Sequence, residues 1–133
     1  MPTIPEKEEI IEIKEAIITL RNDGVIQITY KKGVVIDIDL QNRIAAIFNE
    51  LCKDGKRPFL FNAFDGVSVT PEARANAIKM EKTFPAIATA VLADTLAYKL
   101  IANFYLKVNR PQSPYRVFTE MEKAIEWLQS FVK

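Results

Sequence analysis

The apolar residues in the first third of the chain change their spacing once, and that change restricts the fold more than any other feature. In "IIEIKEAIITL" (10–20) and "VIQITY" (25–30) apolar and polar residues alternate, and Asn22-Asp23-Gly24 joins the two stretches. This is the signature of a hairpin with one buried face, with Gly24 supplying the positive φ of its turn. After "KKG" the period lengthens: Leu40, Ile44, Ile47, Phe48 and Leu51 form one stripe of a helix, with Asp37 or Asp39 as N-cap. "RPFLFNAF" then reads as a short strand covered on both faces. The alternation continues: Thr70-Pro71 opens a helix, "AIATAVLA" is a second buried strand, and Thr95 caps a helix through about Val108. "YRVF" is a last strand, and Thr119 with Glu122 makes a capping box before "MEKAIEWLQSFVK". The expected order is ββαβαβαβα: a mixed five-stranded sheet with an N-terminal hairpin and four helices, in the α/β class. Residues 1–9 are expected to form a loose arm and residues 10–133 a single domain.

Composition narrows the chemistry. At 133 residues the chain can bury a real core, and 18 basic against 17 acidic side chains give no electrostatic pull toward nucleic acid. The single cysteine, Cys52, excludes an internal disulfide, so nothing points to an oxidising compartment. No apolar run is long enough for a membrane span, and the N-terminus has no signal pattern, so the expected location is the cytoplasm. The absence of histidine removes the commonest general base and metal ligand together.

The segment "FNAFDGVSVTPEARA" (61–75) carries a resemblance. With the order of elements around it, it resembles the STAS domains of anti-sigma-factor antagonists, which have the SpoIIAA-like fold. The likeness runs from about Ile10 to the end of the chain and rests mainly on topology. In regulatory members the helix opens with Asp-Ser-Ser-Gly or a close variant, and a serine there is phosphorylated. Here the matching positions read Thr70-Pro71-Glu72-Ala73, so neither the acceptor serine nor the glycine is present. The chain is also similar to stand-alone members of the fold, some grouped with lipid-binding domains. The resemblance implies a regulatory or binding module without the phosphorylation switch.

The strand-to-helix corner supplies the candidate residues Asn62, Asp65, Ser68 and Thr70. Thr70 has a structural role as a cap, and a phosphate on it would meet Asp65 and Glu72 as well as the positive helix end. The capping account therefore outweighs the switch, and Ser68 is expected to satisfy a turn. The acids at the carboxyl edge of the sheet, Glu72, Asp94 and Glu120 among them, suit helix dipoles better than a phosphate site, and no Gly-rich loop lies there. Lys53, Lys56, Arg57, Lys107, Arg110 and Arg116 gather at the opposite edge, where cations neutralise helix C-termini. No metal or cofactor is expected. Cys52 reads as a structural thiol, and a carboxylate pair such as Asp65 with Asp94 is what acid/base chemistry could use.

The helix "TLAYKLIANFYLKV" has two apolar stripes. Ala97, Leu100, Ile101, Phe104 and Val108 suit a core; Tyr98, Ala102, Tyr105 and Leu106 lie nearly opposite. Either loop 107–116 covers the second stripe or it meets a partner, most simply a second copy of the chain. The expected function is a non-catalytic binding or regulatory module acting through protein contacts. A small apolar-ligand or lipid-binding domain is the alternative, and an acid/base enzyme comes third.

Overall fold

The computed structural model of the protein describes residues 5–63, 66–93 and 113–132. Three antiparallel strands open the fold: β1 (Glu9–Glu12), β2 (Ala16–Leu20) and β3 (Ile26–Tyr30). The stretch expected as one strand over 10–20 is therefore two. The reason is a change of parity: Ile11 and Ile13 are odd-numbered, whereas the buried Ala16, Ile18 and Leu20 are even. One continuous strand would send these two sets to opposite faces. The chain instead turns at Lys14-Glu15, where the Ile13 N–H donates to the Ala16 carbonyl at 2.9 Å, and Ile11 comes to lie opposite Ile18. Glu9, expected in the N-terminal arm, belongs to β1. The Asn22-Asp23-Gly24 turn forms as the sequence requires. Gly24 has φ 88°, and Asp23 Oδ1 accepts from the Val25 N–H at 3.1 Å.

The remaining elements are β4 (Val35–Ile36), α1 (Ile38–Leu51), β5 (Arg57–Ala63), β6 (Ser68–Val69), α2 (Pro71–Met80), β7 (Ala86–Leu92), β8 (Tyr115–Phe118) and α3 (Met121–Gln129). The main sheet has six strands in the order β1-β2-β3-β5-β7-β8, one more than expected, with β3, β5, β7 and β8 mutually parallel. A separate parallel pair, β4 with β6, was not anticipated. Two residues are too few to show a period. The described residues contain three α-helices; the helix expected from Thr95 to about Val108 lies outside them.

Alternation along β5 sorts the core into two layers. Phe59, facing one way, joins Ile18, Ile26 and Ile28 under the α1 stripe of Leu40, Ile44, Phe48 and Leu51. Phe48, Phe59 and Phe84 interlock there, with ring centroids 4.9 Å apart for Phe48–Phe59 and 4.7 Å for Phe59–Phe84. Leu60, facing the other way, packs with Ala88, Ala90 and Phe118 against Ala124 and Leu128 of α3. Burial of each such large side chain contributes roughly 1.5–3 kcal/mol, which is why the α1 stripe forms a helix. The sheet thus separates α1 from α3, and α2 lies beside α1. The Gln41 side-chain amide donates to the Ala73 carbonyl at 2.8 Å, and Asn76 donates to Gln41 Oε1 at 2.9 Å. The capping box expected at Thr119 does not form. Glu120 is the N-cap of α3 with no side-chain cap bond, and its carbonyl accepts from Ala124 N–H at 3.2 Å.

Candidate functional site

The β4–β6 pair lies at the carboxyl edge of the parallel strands and holds the starts of α1 and α2 side by side. Val35 lies opposite Ser68 and Ile36 opposite Val69. The Ser68 N–H donates to the Val34 carbonyl and the Thr70 N–H to the Ile36 carbonyl, both at 3.0 Å. Glycine stands on both sides of the pair, where the backbone takes a positive φ. Gly33 (φ 76°) and Gly66 (φ 84°) occupy the left-handed region, and a Cβ on Gly66 would sit 3.5 Å from Gly33 Cα.

Each strand then runs directly into a capped helix. Asp37 Oδ1 accepts from the Leu40 N–H at 2.8 Å, which resolves the choice between Asp37 and Asp39. Thr70 Oγ1 accepts from the Ala73 N–H at 3.0 Å, with Pro71 in the first turn, so the capping role read for Thr70 is what the structure shows. Ser68, expected in a turn, is instead a strand residue with an exposed side chain. Asn62 lies within β5 beside Thr29 and Leu92, on the sheet face away from α1, and does not join Ser68 and Thr70. Asp65, Asp94, Tyr98, Ala102, Tyr105 and Leu106 lie outside the described residues.

Alternation through this corner sends Val34, Ile36 and Val67 inward against the core. Val35 therefore points outward and is 55% exposed; Ile38, at the first position of α1, is 39% exposed. Two large apolar side chains, Val35 opposite Ser68 and Ile38 at the start of α1, thus stand exposed on a frame fixed by paired backbone and two caps. In sequence they look like interior residues of the run "VVIDID", and the signal that would have exposed them is the inward parity of Val34 and Ile36.

Other candidates resolve into structural roles. The Cys52 thiol ends α1, is buried, and is pushed up to about 11 by that burial, so it is poorly suited as a nucleophile. Arg57 is 4% exposed, and its Nε donates to the Leu51 carbonyl at 3.1 Å, so it serves the α1 C-terminus as its type predicts. Arg116 lies over the Phe118 ring at 5.1 Å, and Lys53 pairs with Glu50. Near the corner, Arg43 of α1 binds Glu15 of the β1–β2 turn through Nη1 at 3.1 Å and Asp39 through Nε at 2.9 Å. The hydrogen bond from Arg43 holds the Glu15 carboxyl below the usual carboxylate range. Among the described residues no cluster of three acidic or cysteine side chains has metal-binding geometry, and no helix is long and apolar enough to cross a membrane.

The architecture defines the class. A crystal structure of an uncharacterised protein of the DUF3478 family with a SpoIIAA-like fold, from Shewanella loihica PV-4, superposes with a TM-score of 0.62 at 9% identity, covering 96% of this chain and 98% of that one. At that identity the likeness bears on fold alone, and the fold is SpoIIAA-like α/β. The chain belongs to the family described as "Domain of unknown function (DUF7793)", which matches residues 18–132. A protein of unknown function from Arthrobacter sp. FB24 is 27% identical over 84% of this chain and 90% of that one, with a TM-score of 0.32. No curated protein matches the chain.

Proposed function

We propose that the protein is a non-catalytic binding or regulatory module, one domain from about residue 10 to residue 133, acting through protein contacts in the cytoplasm. The observation that carries this reading is the exposure of Val35, opposite Ser68, and of Ile38, at the start of α1, on the doubly capped corner. Apolar side chains on a rigid frame bind with little loss of conformational freedom, which favours a protein partner over a mobile small ligand. The relation to STAS regulators enters here as a proposal: the same corner is used, with Thr70 as a cap rather than a phosphoacceptor. Tyr98, Ala102, Tyr105 and Leu106 remain proposed as a second contact surface.

Native mass spectrometry of purified protein tests the reading against a lipid or other small apolar ligand. Bare polypeptide, alone or as whole-number multiples, is the expected result. A stoichiometric co-purified small molecule would replace this reading with the ligand-binding one.

A further inference from the structure

Two surfaces outside the corner are complementary in charge and lie on opposite sides of the sheet. The first is the outer face of α2. This helix buries Ala73 and no other residue, while Ile78 is 52% exposed. Arg74, Lys79 and Lys82, all exposed, surround it, and none makes an ion pair with a described residue. Arg74 and Ile78 lie at i and i+4 on the helix, and Lys82 stands in the 3-10 turn Glu81–Thr83 that follows it.

The second surface is an open groove between α3 and the end of β2, lined by Arg21, Met121, Glu122, Ile125, Glu126 and Gln129. Its apolar part is Met121, 37% exposed, with the half-buried Ile125. Its free charge is acidic. Arg21 is held by Asp23 at 3.1 Å, whereas Glu122 and Glu126 are exposed and unpaired among the described residues. Glu122 suits the positive start of α3. Glu126 stands in the second half of a nine-residue helix, four residues from another glutamate, where both the dipole and its neighbour disfavour it. A basic partner would offset both.

We infer that the α2 ridge of one copy docks in the α3 groove of another, Ile78 against Met121 and Ile125, with Lys79 and Lys82 facing Glu122 and Glu126. Because α2 shares the sheet face of α1 and α3 covers the other, the two surfaces of one molecule cannot meet. The contact is heterologous, and copies add head to tail rather than closing as a two-fold dimer. This inference stands on α2 and α3 alone and is independent of the corner reading.

Sedimentation of three proteins tests it: wild type, a ridge variant (Ile78→Ser with Lys79→Ala) and a groove variant (Glu122→Lys with Glu126→Lys). The wild type is expected to grow beyond two copies with concentration and to fall apart as salt is raised. Each variant alone should associate at least about 10-fold more weakly. An equimolar mixture of the two should stop at a heterodimer, because it contains one intact ridge and one intact groove. A wild type that stays single at about 1 mM overturns the inference. So does one that closes at two copies, or a mixture that shows no heterodimer. Should a variant lose its fold, the stoichiometry and salt dependence of the wild type still decide: growth past two copies that salt weakens supports head-to-tail assembly, and any other behaviour refutes it.

Discussion

Replacing Thr70 by alanine isolates one bond at the corner. The Thr70 Oγ1 accepts from the N–H of Ala73, and Ala73 is the one residue of α2 that is fully buried. Losing the acceptor leaves a buried donor unsatisfied, which costs about 1–3 kcal/mol if nothing relaxes. Relaxation is available, because α2 has little other packing and its first turn can fray into water. The net cost therefore falls to about 1 kcal/mol, the middle of the range for N-caps. In urea, with a slope of about 2 kcal/mol/M, the unfolding midpoint should drop by about 0.5 M. Thr70→Ser and Thr70→Asp keep an acceptor and should stay within about 0.3 kcal/mol of the wild type. Thr70→Asp also places negative charge at the helix start, which is favourable. A Thr70→Ala protein as stable as the wild type, or a Thr70→Asp protein as weak as Thr70→Ala, would refute the capping account.

Three further outcomes follow from the same structure. Burial raises the Cys52 thiol to about 11, so thiolate is scarce near neutral pH, and a thiol reagent should label the native protein at least about 100-fold more slowly than the urea-unfolded chain. The Glu15 carboxyl is depressed by its bond to Arg43, so the stability it contributes is present above its unfolded value and is lost as pH falls through its folded one. The melting-temperature gap between wild type and Glu15→Gln should accordingly be largest near neutrality and close in acid. Arg57→Leu removes a nearly buried donor from the last carbonyl of α1 and should cost about 2 kcal/mol by urea unfolding.

The sequence showed most clearly what depends on local pattern. The Asn22-Asp23-Gly24 turn, the α1 stripe and the Thr70-Pro71 helix start each follow from spacing or side-chain chemistry within a few residues, and each forms. The break at Lys14-Glu15 was also present, as the shift of apolar residues from odd to even positions, but the recurring isoleucines on both sides of it hid it. The β4–β6 pair left no trace because its partners are 33 residues apart and it is two residues long. Thr119 did not become a cap: the N-cap of α3 falls one residue later, at Glu120, without a side-chain cap bond, while the buried face of Ala124 and Leu128 forms as the spacing requires. The exposed pair Val35 and Ile38 was the least legible part. Apolar residues of the run "VVIDID" look interior until the inward direction of Val34 and Ile36 is known.

The central claim is that this exposed pair binds another protein, and paired affinity capture tests it most directly. Wild-type bait is compared with a Val35→Ser, Ile38→Ser bait under identical conditions, with quantitative mass spectrometry as the readout and thermal melting to confirm that both baits are folded. Truncating two exposed apolar contacts at the centre of an interface should weaken binding by at least about 2 kcal/mol, roughly a 30-fold change in affinity. The account predicts at least one protein retained by the wild type and depleted at least about 10-fold on the variant. Identical captures from two folded baits would contradict it.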